Sequence, residues 1–128
     1  MLPAEARMRN SQEFRSTVRR GLRVGCPSLV IHADLADDAS SPRAGGQTSA
    51  RVGFVVSKQV GNAVTRNRVK RRLRHLAAGR LRSDPDLPGS LRVVVRALPA
   101  AAQQPGRLVH DFDAAWRKSL DRLELRAR

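Results

Sequence analysis

Between Ala39 and Ser83 the chain carries eleven Arg or Lys residues and not one Asp or Glu. This one-sign run limits what the chain can fold into, because like charges repel and cannot share a core; its charged side chains have to lie on a surface. It supplies +11 of a formal net charge of +14. A surface with no partner normally intersperses both signs, so the run reads as an electrostatic footprint for nucleic acid. A membrane-surface role fits poorly, since the segment lacks the exposed Trp, Phe and Leu face of interfacial helices.

The chain has 128 residues, 41% of them hydrophobic, which is the size of one domain with one modest core. No apolar run reaches the roughly 18 residues needed to span a bilayer, and the start, MLPAEARMRN, lacks a secretory apolar stretch. A cytosolic protein is expected. The single cysteine, Cys26, cannot form an internal disulfide and reads as an ordinary reduced thiol.

Local patterns predict six elements. Ser11 to Gly21 reads as a helix with Ser11 as cap, Glu13 in its first turn, Phe14 and Val18 on one face, and Gly21 as its stop. Ser28 to Leu35 (SLVIHADL) reads as a strand. Ala36 to Ala50, rich in Asp, Ser, Gly and Pro, reads as a disordered loop or long hairpin connection. Arg51 to Lys58 (RVGFVVSK) is nearly all apolar and is expected to be a strand covered on both faces. Gly61 and Asn62 make a turn in which Gly61 takes a positive φ.

A basic helix then runs from Ala63 to Arg82. Val69, Leu73, Leu76 and Ala77 fall within about 100° of one another on its wheel, while Arg68, Arg71, Arg72, Arg74 and His75 occupy the other side. Leu91 to Leu98 (LRVVVRAL) is a third strand, ended by Pro99. A last helix spans Pro105 to Arg126, with an apolar stripe of Leu108, Phe112, Ala115, Leu120 and Leu123 and with Trp116 beside it. The order is helix, strand, strand, helix, strand, helix, which predicts a compact α/β structure, a two-layer α+β sandwich of helices on a small sheet.

No protein active site is legible. There is no supported carboxylate pair, no nucleophile triad, no Cys/His cluster and no phosphate-binding Gly loop. His32, His75 and His110 are scattered and read as ordinary strand or helix residues. Acidic residues that could bind Mg²⁺ for a two-metal mechanism are missing from the whole basic region.

The stretch from Phe54 to His75, FVVSKQVGNAVTRNRVKRRLRH, resembles the signature of the bacterial ribonuclease P protein family. In that family a strand ending in Ser-Lys is followed by a Gly-Asn-Ala-Val turn and a helix bearing Arg-Asn-Arg-x-Lys-Arg. Ser57 and Lys58, Gly61 to Val64, and Arg66, Asn67, Arg68, Lys70 and Arg71 supply all of these elements. The likeness extends to the Arg-rich start, the Phe14 helix ending at Gly21, the sequence Arg96-Ala97-Leu98-Pro99 and the closing helix.

The resemblance implies a ribosomal protein S5 domain 2-like fold. Its order is α-β-β-(β)-α-β-α, with a small mixed sheet and a left-handed βαβ crossover made by the basic helix. It implies an accessory role in an RNA enzyme that removes 5′ leaders from precursor tRNA, with no catalytic residue in the protein. Its partners would be the ribonuclease P RNA and precursor tRNA, with no obligate protein partner, and Mg²⁺ would be held mainly by the RNA. The catalytic RNA would be bound by Arg66, Asn67, Arg68, Lys70, Arg71, Arg72 and Arg74, whose guanidinium forks suit phosphates and unpaired bases. Asn67 reads equally well as a contact to a 2′-hydroxyl and as a local helix-start bond.

A cleft between the first helix and the sheet would hold the single-stranded leader through Phe14, Arg15, Val18, Arg19, His32 and Lys58. Val18 and His32 stand where many relatives carry Phe and Tyr, so leader binding here is expected to lean more on charge and less on stacking. Phe14 reads equally well as plain core. Arg80 and Arg82, beyond the motif, read as solvated charges. The alternatives are a ribosomal or general RNA-binding protein, a DNA-binding regulator and a stand-alone nuclease.

Overall fold

The computed structural model describes residues 6–8, 11–35, 50–84 and 87–126. The elements in chain order are α1 (Ser11–Arg20), β1 (Leu22–Gly25), β2 (Leu29–Leu35), β3 (Arg51–Val55), α2 (Ala63–Ser83), β4 (Leu91–Ala97), α3 (Ala100–Gln103) and α4 (Pro105–Arg126). The expected loop at 36–50 lies outside the described residues except for Ala50. The four strands form one mixed sheet in the order β1-β2-β4-β3. β1–β2 and β2–β4 are antiparallel and β3–β4 is parallel, with α2 as the connection between the parallel pair.

Two elements were not expected from the sequence. β1 is only four residues long and follows α1 without a break, so its alternation is too short to show a period; pairing with β2 makes it a strand. α3 is a single turn after Pro99. The expected strand at 51–58 stops at Val55, because Ser57 to Val60 close a turn in which the Val60 N–H donates to Ser57 O at 3.1 Å.

Strand alternation assigns the two faces of the sheet. Val24, Leu29, Ile31, Ala33, Val52, Leu91, Val93, Val95 and Ala97 belong to the main core. There they meet Val69, Leu73, Ala77 and Ala78 of α2 and Leu108, Phe112, Ala115, Trp116 and Leu123 of α4. Phe112 and Trp116 stack at 5.6 Å between ring centroids, so Trp116 joins the core directly. Leu76 and Leu120, expected in the apolar stripes, are only partly buried at its margin.

A buried carboxylate ties α4 to the β1–β2 connection. Asp111 Oδ2 accepts from the Ser28 backbone N–H at 3.0 Å and from Ser28 Oγ at 2.7 Å. Arg107 stands 3.6 Å away at ion-pair distance. The neighbouring Cys26 thiol has its pKa pushed up, first by burial and then by the charge of Asp111, which leaves it protonated and unreactive near neutrality.

The second face carries Arg23 and Gly25 of β1, Val30, His32 and Asp34 of β2, Arg92, Val94 and Arg96 of β4, and Arg51, Gly53 and Val55 of β3. α1 packs on this face against β2 and β4. Glu13 holds it there: Arg51 Nη1 donates to Glu13 Oε2 at 3.1 Å, and Arg92 Nε lies 3.6 Å from Oε1. Arg92 is 3% exposed and also donates to the carbonyls of Gly89 and Leu91. The Phe14 ring stands over Gly53, where an added Cβ would lie 2.4 Å from Cζ and 3.1 Å from Met8 Cβ. Gly53 thus permits a close approach that a side chain would block.

Two substitutions test this arrangement. Gly53→Ala is expected to lift Phe14 and cost about 1–3 kcal/mol, as overpacking does. Glu13→Gln removes the negative charge that Arg51 and Arg92 share; because Glu13 is about one-fifth exposed, the expected cost is about 1–3 kcal/mol, below that of a fully buried pair. Urea unfolding of both variants measures the losses.

Candidate nucleic-acid interface

α2 begins where Gly61, at φ +157°, lets the chain turn; a Cβ there would meet Thr65 Cγ2 at 2.9 Å. Asn62 caps the helix, its side chain accepting from the Thr65 N–H at 2.9 Å. The cap is therefore Asn62, which leaves Asn67 exposed and without a helix-start role.

The buried Val69, Leu73, Ala77 and Ala78 fix the rotation of α2. Val64, Asn67, Arg68, Arg71 and His75 consequently form an exposed stripe at intervals of three and four residues. Arg66, Lys70, Arg72 and Arg74 flank it, half-buried. Among the described residues none of Arg66, Arg68, Lys70, Arg71, Arg72 and Arg74 has a carboxylate at ion-pair distance. Arg66 lies toward the core side of the helix, and its Nε is buried with no hydrogen-bond partner. Arg80 is different from the expected solvated charge: it bonds Asp113 of α4 at 3.0–3.1 Å and acts as a strut between helices. Arg82 is exposed.

The residues expected to line a second site fall on or beside the second sheet face. Phe14 is half-buried over Gly53, which assigns it a packing role whatever else it does. Arg15 and Arg19 are exposed on α1, and Val18 is 36% exposed. The buried member of this helix is Thr17, whose hydroxyl donates to the Glu13 carbonyl. Lys58 is exposed in the turn that leads from β3 to α2, and so stands between the two basic surfaces along the chain. His32 is 7% exposed at the centre of β2.

Two cations beside His32 were missed by the sequence reading. Arg23 is its direct cross-strand partner on β1, and Arg96 lies on the same face one diagonal away on β4. Both are exposed. Arg96 could have been found from the alternation of LRVVVRAL; Arg23 could not, because β1 itself was not legible. His32 has its pKa lowered, first by burial and then by the charges of Arg96 and Arg23.

The second sheet face is therefore closed by α1 around Glu13 and Phe14 and cationic around Arg23, His32 and Arg96. Fold and surface together define an α/β polyanion-binding protein with two cationic regions. The comparisons narrow this class. The ribonuclease P family model matches residues 2–120. A ribonuclease P protein component of Streptomyces bikiniensis is 52% identical over 123 residues, covering 94% of this chain and 96% of that protein. One of Mycobacterium sp. (strain KMS) is 46% identical over 129 residues, covering 99% and 100%. The fold matches the RNase P protein of Staphylococcus aureus at a TM-score of 0.67 and 19% identity, over 88% of this chain and 93% of that one. It matches that of Thermotoga maritima at 0.58 and 24%, over 91% and 93%. The chain belongs to the ribonuclease P protein family.

Two measurements probe the surface. Arg68→Ala with Arg71→Ala is expected to lower the slope of log K against log salt for RNA by about 1.4 to 1.8, since each phosphate contact contributes about 0.7 to 0.9; titrations from low to moderate salt give that slope. For the free protein, the depressed pKa of His32 means that its stabilising contribution is present above about pH 6.5, the ordinary histidine value, and is lost as pH falls through the lower folded-state value. His32→Gln should flatten that acid-side fall in thermal melts.

Proposed function

We propose that this chain is the protein subunit of ribonuclease P, binding the catalytic RNA along α2 and the 5′ leader of precursor tRNA along the second sheet face. The observation that carries this reading is the α2 surface: a family motif displayed on a helix with no acidic residue, rotated so that Asn67, Arg68, Arg71 and His75 face outward. Cations without internal partners are available to phosphates, and arginine adds stacking on unpaired bases.

In this reading the protein supplies no reacting group. Among the described residues no three His, Cys, Asp or Glu side chains gather in a way that fits a metal ion, and the α2 surface would repel one. In this reading the RNA holds the Mg²⁺, generates the attacking water and hydrolyses the phosphodiester. The protein lowers the repulsion between two polyanions and holds the leader.

Arg15, Arg19 and Lys58 would meet leader phosphates, with Arg23 and Arg96 joining them. Phe14, Val18 and His32 would contact bases, with little aromatic surface to stack on. The protein would act in the cytoplasm as one copy per holoenzyme.

The test is cleavage of precursor tRNA by the cognate ribonuclease P RNA at low Mg²⁺, with the protein, without it, and with protein alone. The protein should restore cleavage and do nothing by itself. Arg68→Ala should need about tenfold more protein, since a charge-assisted contact is worth about 1.5 kcal/mol. Cleavage by protein alone, or no help to the RNA, would overturn the proposal.

A further inference from the structure

One row across the second face reads Arg23, His32, Val94, Gly53 through the four strands. Gly53 is capped by Phe14. At the other end of the row the imidazole of His32 is buried, and its Nδ1 has no hydrogen-bond partner. An unsatisfied buried nitrogen is costly to keep, and in a folded protein such an atom needs a reason.

The charges around His32 are unevenly balanced. On β4 and β3, Arg92 and Arg51 are already engaged by Glu13 of α1. Asp34 lies two residues along β2 on the same face, opposite Arg92. Arg23 of β1 and Arg96 of β4 have no carboxylate at ion-pair distance among the described residues, and neither have the exposed Arg15 and Arg19 of α1. A proton on His32 in the free protein would meet this surplus of positive charge inside a desolvated site, and it is disfavoured.

A polyanion reverses the charge on this face. Phosphates drawn to Arg23 and Arg96 cancel the field that opposes protonation, and their negative charge favours an imidazolium between the two strands. We infer that His32 takes up a proton from solvent when a single-stranded RNA occupies the face between Arg23 and Arg96, so that this chain grips its leader more tightly as pH falls. The inference rests on the leader-binding reading above and adds a proton to it.

Linkage gives the sign. If binding raises the His32 pKa, protons are taken up on binding, and affinity rises with falling pH between the bound-state and free-state values, by at most tenfold per pH unit for one group. Above that window the site is neutral in both states and pH has no effect through it.

The test has two independent readouts. In the first, the holoenzyme binds precursor tRNA and the same tRNA without its leader, under non-cleaving conditions from pH 8 to 5.5. The leader's share of affinity should grow several-fold toward low pH in the wild type and stay level in His32→Gln, which cannot titrate. In the second, the ring resonance of His32 is titrated by NMR in the free protein with and without a single-stranded RNA oligonucleotide, and its midpoint should move up. A wild-type pH profile matched by His32→Gln, or an unmoved or lowered midpoint, overturns the inference while leader binding stands. A leader that adds nothing to affinity at any pH overturns the leader reading and this inference with it.

Discussion

Burial of β4 on both faces is the constraint on which the remaining structure depends. Five of its seven residues from Leu91 to Val95 are buried without a break, and it hydrogen-bonds β2 on one side and β3 on the other. A strand of this kind needs a layer above and a layer below. α2 and α4 make the first layer from ordinary apolar stripes. The second layer is thinner: α1, ten residues long, must cover a face that carries Arg51 and Arg92. It does so by bringing Glu13 to the guanidinium groups and Phe14 to the bare backbone of Gly53.

That economy shapes the functional surface. Because α1 closes only part of the face, the part bearing Arg23, His32 and Arg96 carries positive charge with no ion-pair partner among the described residues, next to a desolvated ring. On the opposite side of the chain's architecture, the rotation of α2 is set by Val69, Leu73, Ala77 and Ala78, and the cations are whatever remains. One packing solution thus produces both cationic regions, and each keeps one buried nitrogen without a partner, Nε of Arg66 on α2 and Nδ1 of His32 on β2.

The two regions differed in how far they could be read in advance. The α2 surface was legible because a helix converts sequence spacing into direction, so that Arg68, Arg71 and His75 had to point away from Val69 and Leu73. The cleft was less so. Phe14 turned out to pack on Gly53, a contact between residues 39 apart in the chain, and Thr17, which the apolar pattern did not single out, is the buried residue of α1. Arg23 stayed hidden because β1 exists only through its partner strand. Arg80 changed from a solvated charge to a strut once Asp113 was placed beside it.

By itself the sequence determined the order of the main elements, the cationic outer side of α2, its start at Gly61 and Asn62, and the family to which the chain belongs. These follow from local rules: periodicity, capping and the chemistry of a contiguous motif. Only the tertiary structure decided the sheet order β1-β2-β4-β3, the clamp of Arg51 and Arg92 on Glu13, and the placing of His32 between Arg23 and Arg96. Strand pairing brings together residues from distant parts of the chain, and no local pattern encodes which strand will lie beside which.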